Sequence, residues 1–128
     1  AEDGIRDKLV TGVQTCALPS ISVNNQRFEH SLIVAPTQLI SDWKTSAFKQ
    51  LQESDFEKIA SLNPEVVLLG TGKQHQFIHP RLIKALTEAN IAVECMSTDA
   101  ACRTYNILMS EGRKVVGALI LASIQSVK

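Results

Sequence analysis

Val66-Val67-Leu68-Leu69-Gly70-Thr71-Gly72 decides how this chain folds. Four consecutive apolar residues read as a strand buried on both faces. Two glycines around one threonine read as a tight loop at the carboxyl end of that strand.

Downstream, helical and extended periods alternate. His79-Pro80 opens a helix, with proline at the favoured first position. Leu82, Ile83, Leu86 and Ala89 give that helix its apolar face, and Asn90 fits its C-cap. Ile91 to Cys95 reads as a short strand. Thr98 fits the N-cap of a third helix, with Asp99 on its positive end. Ala101, Tyr105, Leu108 and Met109 form the stripe that this helix buries, and Gly112 closes it. Lys114 to Leu121 is a last apolar strand. Strand, helix, strand, helix, strand predicts parallel neighbours joined by right-handed crossovers.

Upstream, Ser54 and Glu57 have the spacing of a capping box. Phe56, Ile59, Ala60 and Leu62 follow at helical spacing, and Asn63-Pro64 stops that helix. Leu39 to Phe48 reads as a strand with Trp43, Thr45 and Ala47 on one face, and almost as well as a loop. Arg27 to Ala35 alternates as one half-buried strand, with Phe28, His30, Leu32 and Val34 on one face and Pro36 at its end. Asn24-Asn25 fits a tight hairpin turn between Val23 and that strand. The expectation is a single α/β (α+β) domain in three layers, β/β/α. It has a mixed sheet, a βαβαβ C-terminal half, helices on one side and an N-terminal β-hairpin as the second layer or an extension.

The chain has 128 residues, 45% of them apolar, which suits one domain with a real core. Thirteen basic residues balance thirteen acidic ones. No electrostatic footprint for nucleic acid or an anionic membrane results. The longest apolar run, 115–124, is too short for a membrane-spanning helix. Three cysteines without paired spacing, Cys16, Cys95 and Cys102, fit a reducing compartment better than a disulfide framework. A cytoplasmic location is expected.

Residues 1–20 show neither period. Val10 to Pro19 resembles a peptide that recurs at the ends of translated metagenomic reads, where adaptor DNA is read as protein. The expectation is that residues 1–20 are a non-native or disordered tail and that 21–128 form the globular domain.

Gly70, Thr71 and Gly72, with Lys73 for charge, are the first candidate site. Ligands of open α/β sheets sit beyond the carboxyl ends of parallel strands, and glycine amides there can form an anion nest. Yet the stretch is neither dinucleotide fingerprint nor P-loop, and the next helix does not abut it. A turn that needs positive φ is the simpler reading. His75 and His79 are four apart, but Pro80 breaks the helix that metal ligation at that spacing requires. No metal or cofactor is expected. His30 reads as packed, and Cys95 and Cys102 as buried structural thiols. No nucleophile–base set and no catalytic carboxylate pair can be assigned.

The third helix carries an unusual polar set: Arg103, Thr104, Asn106, Glu111 and Arg113. Arg103 and Asn106 can share a face, and Arg113 can reach a helix-end carbonyl or Glu111. Adjacent parallel strands would put the GTG loop beside Met96 and Thr98 at the start of this helix.

The residues Ser31-Leu32-Ile33-Val34-Ala35-Pro36, Trp43, Pro64-Glu65 and Leu69-Gly70-Thr71-Gly72 carry a resemblance. So does the run from Met96 through Thr98, Ala101, Arg103-Thr104-Tyr105-Asn106, Leu108 and Glu111-Gly112-Arg113, with Val115 and Ala118-Leu119. The chain resembles a small domain family of unknown activity, found in bacteria and archaea, that includes the mitochondrial respiratory complex I assembly factor 3. The resemblance covers about residues 21–123. It implies a β/β/α domain, a bacterial cytosol, and no established activity or cofactor. The expected function is non-enzymatic binding or assembly. A protein partner would meet a cleft of Gly70, Thr71, Gly72, Lys73, Met96, Thr98, Arg103, Asn106 and Arg113. The alternative is small-molecule or anion binding, with or without catalysis, at the same cleft. A homo-oligomer is compatible with either; nucleic acid is not expected.

Overall fold

The structure is a computed structural model that describes residues 13–17, 20–23, 26–36, 38–41, 43 and 48–121. Eight strands and three α-helices follow in order. They are β1 (Val13–Ala17), β2 (Ser20–Val23), β3 (Gln26–Phe28), β4 (Leu32–Ala35), β5 (Gln38–Ile40), α1 (Glu53–Ala60), β6 (Val66–Gly70), α2 (Lys84–Glu88), β7 (Ala92–Met96), α3 (Thr98–Ser110) and β8 (Val115–Leu119). Single 3-10 turns, Phe48–Gln50 and Pro80–Ile83, precede α1 and α2.

The large sheet has the order β5-β4-β8-β6-β7. β6 runs parallel to both β7 and β8, while β4 is antiparallel to β8 and β5. The expected mixed sheet and βαβαβ half are therefore present. The front hairpin is part of a three-stranded antiparallel sheet, β1-β2-β3. Val13–Ala17, inside the segment read as a tail, is its first strand. That pairing bears on order, not on origin, and residues 1–12 lie outside the described residues.

The helices do not share one side of the sheet. β6 steps outward to β7, and β7 must cross back over β6 to reach β8. Right-handed crossovers in opposite directions put their helices on opposite faces. α3 packs on β6 and β8 beside the small sheet. Its core gathers Ile21, Val23, Leu32, Val34, Leu68, Ala101, Tyr105 and Leu119. α1 and α2 cover the other face over Ile33, Trp43, Phe56, Ile59, Val67, Leu69 and Leu86. Alternate residues of β4, β6 and β8 feed the two cores, which is why all three strands are buried throughout.

Two more expectations change. Arg27 to Ala35 is not one strand. β3 belongs to the small sheet and β4 to the large one, and 29–31 is the crossing between them. Ser31 is buried at that crossing, where its hydroxyl donates to the Leu121 carbonyl and accepts from the Leu121 amide. His30 points to solvent, its ring edge-on to Phe28, rather than into a core. The first helix begins before Ser54, with Gln52 at its N-cap. Asp55 explains the shift. One carboxylate oxygen accepts from the Gln52 amide at 2.9 Å and the other from the Trp43 indole at 3.1 Å.

Candidate functional site

β6 and β7 are adjacent and parallel, and the chain leaves their carboxyl ends toward opposite faces. Such a divergence is where open α/β sheets leave a crevice. Here the crevice is filled by the chain's own backbone and two buried threonines. Gly70 lies so close to α3 that a Cβ on it would stand 2.9 Å from the Thr98 Cα. Only glycine permits that approach. Gly72 has a φ of +107°, the left-handed side that the sequence assigned to a turn glycine.

Hydrogen bonds consume the loop's polar groups. The Thr71 amide donates to the Met96 carbonyl at 2.8 Å, and the Gly72 amide to the Thr98 hydroxyl at 2.8 Å. That hydroxyl donates onward to the Ile120 carbonyl at 2.8 Å, while the Thr98 amide returns to the Gly72 carbonyl. The Thr71 hydroxyl lies 2.6 Å from the Gln74 carbonyl and 3.1 Å from that of Met96, and accepts from the Gln76 amide. Thr71 is 2% exposed and Thr98 fully buried. The helix cap is consequently Ser97, not Thr98. The Ser97 hydroxyl donates to Asp99 at 2.7 Å, and this bond, more than the Arg103 guanidinium, holds the Asp99 carboxyl below its ordinary pKa.

The structure brings Gly70, Thr71, Gly72, Met96 and Thr98 together. Lys73 is exposed on the same loop. Arg103 is exposed one turn up α3 and reaches back to Asp99 at 3.4 Å. Asn106 is half-buried further along. Arg113 is elsewhere: its Nε donates to Glu65 at 2.8 Å, before β6 begins. α3 runs about 20 Å, at roughly 1.5 Å per residue, from the GTG loop to that pair. Arg113 returns to a helix-end carbonyl through its amide, which donates to that of Leu108 at 3.1 Å, while its guanidinium takes Glu65 as partner. That hydrogen bond, more than the nearby charge of Glu111, raises the guanidinium's pKa.

His79 caps the turn before α2, its Nδ1 accepting from the Arg81 amide, and His75 lies against Phe77. Among the described residues no group of His, Cys, Asp or Glu is arranged to hold a metal. Cys102 is buried; Cys95 is half-buried, and desolvation raises its thiol pKa. A groove of about 220 Å³ between α1 and α2 is lined by Glu53, Glu57, Leu82, Lys84, Ala85 and Glu88, away from the GTG loop.

Two features escaped the sequence reading. Phe77, 83% exposed, stands in the loop after Gly72, and Glu94 is exposed in the middle of edge strand β7. The signal for Phe77 was an aromatic among polar residues and histidines. Glu94 is marked as the one charge in an otherwise uncharged strand.

A mixed sheet, a small antiparallel sheet beside α3, and a stitched β6–β7 end define a domain of known architecture. The chain belongs to the family described as protein of unknown function (DUF498/DUF598), whose model matches residues 13–120. It is 32% identical over 94 residues to the "13 kDa major membrane protein" of Francisella tularensis, covering 73% of this chain and 76% of that one. It is 35% identical over 85 residues to the mouse "NADH dehydrogenase [ubiquinone] 1 alpha subcomplex assembly factor 3". That alignment takes in 65% of this chain and 46% of the mouse protein, so the chain spans about half of the assembly factor. A crystal structure of a Bordetella parapertussis protein superimposes with a TM-score of 0.83 at 36% identity, over 89% of this chain and 98% of that one. Among the described residues no helix is long and apolar enough to cross a membrane.

Proposed function

We propose that this is an assembly-type binding domain that presents the GTG loop and the first turns of α3 to a protein partner. One observation carries the reading: the amides of Thr71 and Gly72, which an anion nest would need, are both spent inside the fold. A loop so tied is a rigid shape for another surface to fit, and rigid presentation lowers the entropic cost of docking. The similarity to assembly factor 3 supports the same reading. Lys73 and Arg103 form the solvent-facing rim of this surface, with Asn106 beside them; Arg113 lies at the opposite end of α3 and outside it.

The test is affinity capture from the source cells with folded Thr71→Arg and Arg103→Glu variants. Loss of a partner that the unaltered chain retains supports the surface; unchanged recovery from both removes it. The small-molecule alternative is separated by a thermal-shift screen of nucleotides and phosphorylated metabolites. A saturable stabilisation abolished by Lys73→Ala would replace the docking reading. The domain is placed in the cytoplasm under this proposal, and the membrane name of the Francisella relative makes fractionation of the native protein the check.

A further inference from the structure

β7 closes one side of the large sheet, and its outer edge is regular. Its register with β6 runs unbroken from Ala92 to Met96, with no proline and no bulge. Ala92 donates to the Glu65 carbonyl, and Met96 accepts from the Thr71 amide. By the period of two, the amides and carbonyls of Val93 and Cys95 therefore face outward. An edge of this kind is a template for another strand unless it is short, bulged, covered or charged. Among the described residues the one guard is Glu94, exposed on the α3 side of the strand.

The loop before α2 adds a second element. It is held at both ends: the Gln76 amide bonds to Thr71, and the Ile78 backbone lies against the Cys95 sulfur. Between these ties Phe77 is 83% exposed, its ring 4.5 Å from that of His75. Ile78 and Cys95 pack into the α1–α2 core. Phe77 thus stands near the carboxyl end of β7, on the face opposite Glu94. A single aromatic held out of a rigid loop is the kind of residue that dominates protein interfaces.

We propose that β7 receives an extended protein segment as a sixth strand, one that places lysine or arginine against Glu94 and apolar side chains against Phe77. Main-chain hydrogen bonds to Val93 and Cys95 supply the pairing, and the alternating side chains supply the selection. Charge complementarity fixes the kind of partner: an acidic guard repels acidic strands and tolerates basic ones. This inference names a partner class for the protein-docking reading above and rests on it.

The probe is the capped peptide Thr-Lys-Val-Lys-Val-Lys-Thr, with Thr-Glu-Val-Glu-Val-Glu-Thr as its counterpart. Amide chemical shifts of the isotope-labelled protein and hydrogen exchange are the readouts. The lysine peptide is expected to shift and protect Val93 and Cys95, and to bind at least about tenfold more tightly than the glutamate peptide. Glu94→Lys should reverse that preference. Phe77→Ala should weaken the lysine peptide severalfold. Val93→Pro should abolish its binding while sparing the ladder to β6, because its amide points outward. If Val93→Pro fails to fold, Glu94→Lys and Phe77→Ala carry the test. No shift at Val93 and Cys95, shifts confined to another face, or a preference that Glu94→Lys leaves unchanged would overturn the proposal. Strand docking falls alone if these peptides fail while cellular capture still depends on Thr71 and Arg103.

Discussion

Thr98 and Tyr105 lie two turns apart on the buried side of α3, and their hydroxyls meet opposite fates. Thr98 accepts from the Gly72 amide and donates to the Ile120 carbonyl. Tyr105 is fully buried in the core beneath the small sheet, yet its hydroxyl has no hydrogen-bond partner among the described residues. A buried polar atom that is paired stabilises modestly; one left unpaired costs more than that. The start of α3 is thus held by directed bonds that fix its position against the GTG loop. Its middle is held by fit, the Tyr105 ring lying where a Cβ on Gly117 would come within 3.4 Å of it. The proposed docking surface sits at the end built from specific bonds, and the generic packing lies away from it.

The comparison breaks most visibly at Gly70. Gly70→Val drives side-chain atoms into the α3 backbone at Thr98, which cannot yield as a flexible side chain could. A loss of about 3 kcal/mol or more in denaturant unfolding is expected, toward the upper end of overpacking penalties. A loss below about 1 kcal/mol would mean that the helix start is not seated as tightly as this contact requires.

Next comes Thr98→Val, which keeps the volume and deletes the hydroxyl. The Gly72 amide and the Ile120 carbonyl then lose their partner together. About 2–3 kcal/mol should be lost, with Thr98→Ser close to the parent. Hydrogen exchange at the Gly72 amide should accelerate in Thr98→Val alone.

These effects explain why some of the molecule was legible in the sequence. Val66 to Leu69 announced a doubly buried strand because one core lies on each side of it, and the order of elements after it followed from period. The positive φ of Gly72 was readable as well, since little else suits it. Long-range partners were not. Thr98 sits where a cap would, and no local rule says that its hydroxyl reaches the carbonyl of Ile120. Asp55 moved the first helix start through a local bond from the Gln52 amide, and only its second oxygen reaches further, to the Trp43 indole. Arg103 and Arg113 looked like one polar set along a helix. Only the helix's length separates the end at the GTG loop from the end at Glu65. The two faces taken by α2 and α3 depend on strand order, which a list of elements does not contain.

Tyr105→Phe is the smallest change and sharpens the comparison most. Removing the orphaned hydroxyl should leave stability unchanged or raise it by up to about 1 kcal/mol, since no bond is lost and a desolvated dipole is relieved. Its pH dependence supplies a second, independent sign. Burial raises the Tyr105 pKa above its ordinary value near 10. In alkaline solution the unfolded chain ionises this tyrosine first, while the folded chain keeps it neutral. The parent therefore loses stability as pH rises past the ordinary tyrosine value, and the contribution is fully present below it. Tyr105→Phe removes that loss, so the stability difference between the two proteins should stay constant up to about pH 10 and grow in the variant's favour above it. Denaturant midpoints measured across that range decide the point. A destabilised variant at neutral pH would show that the hydroxyl has a partner after all, and that the middle of α3 is held as its start is.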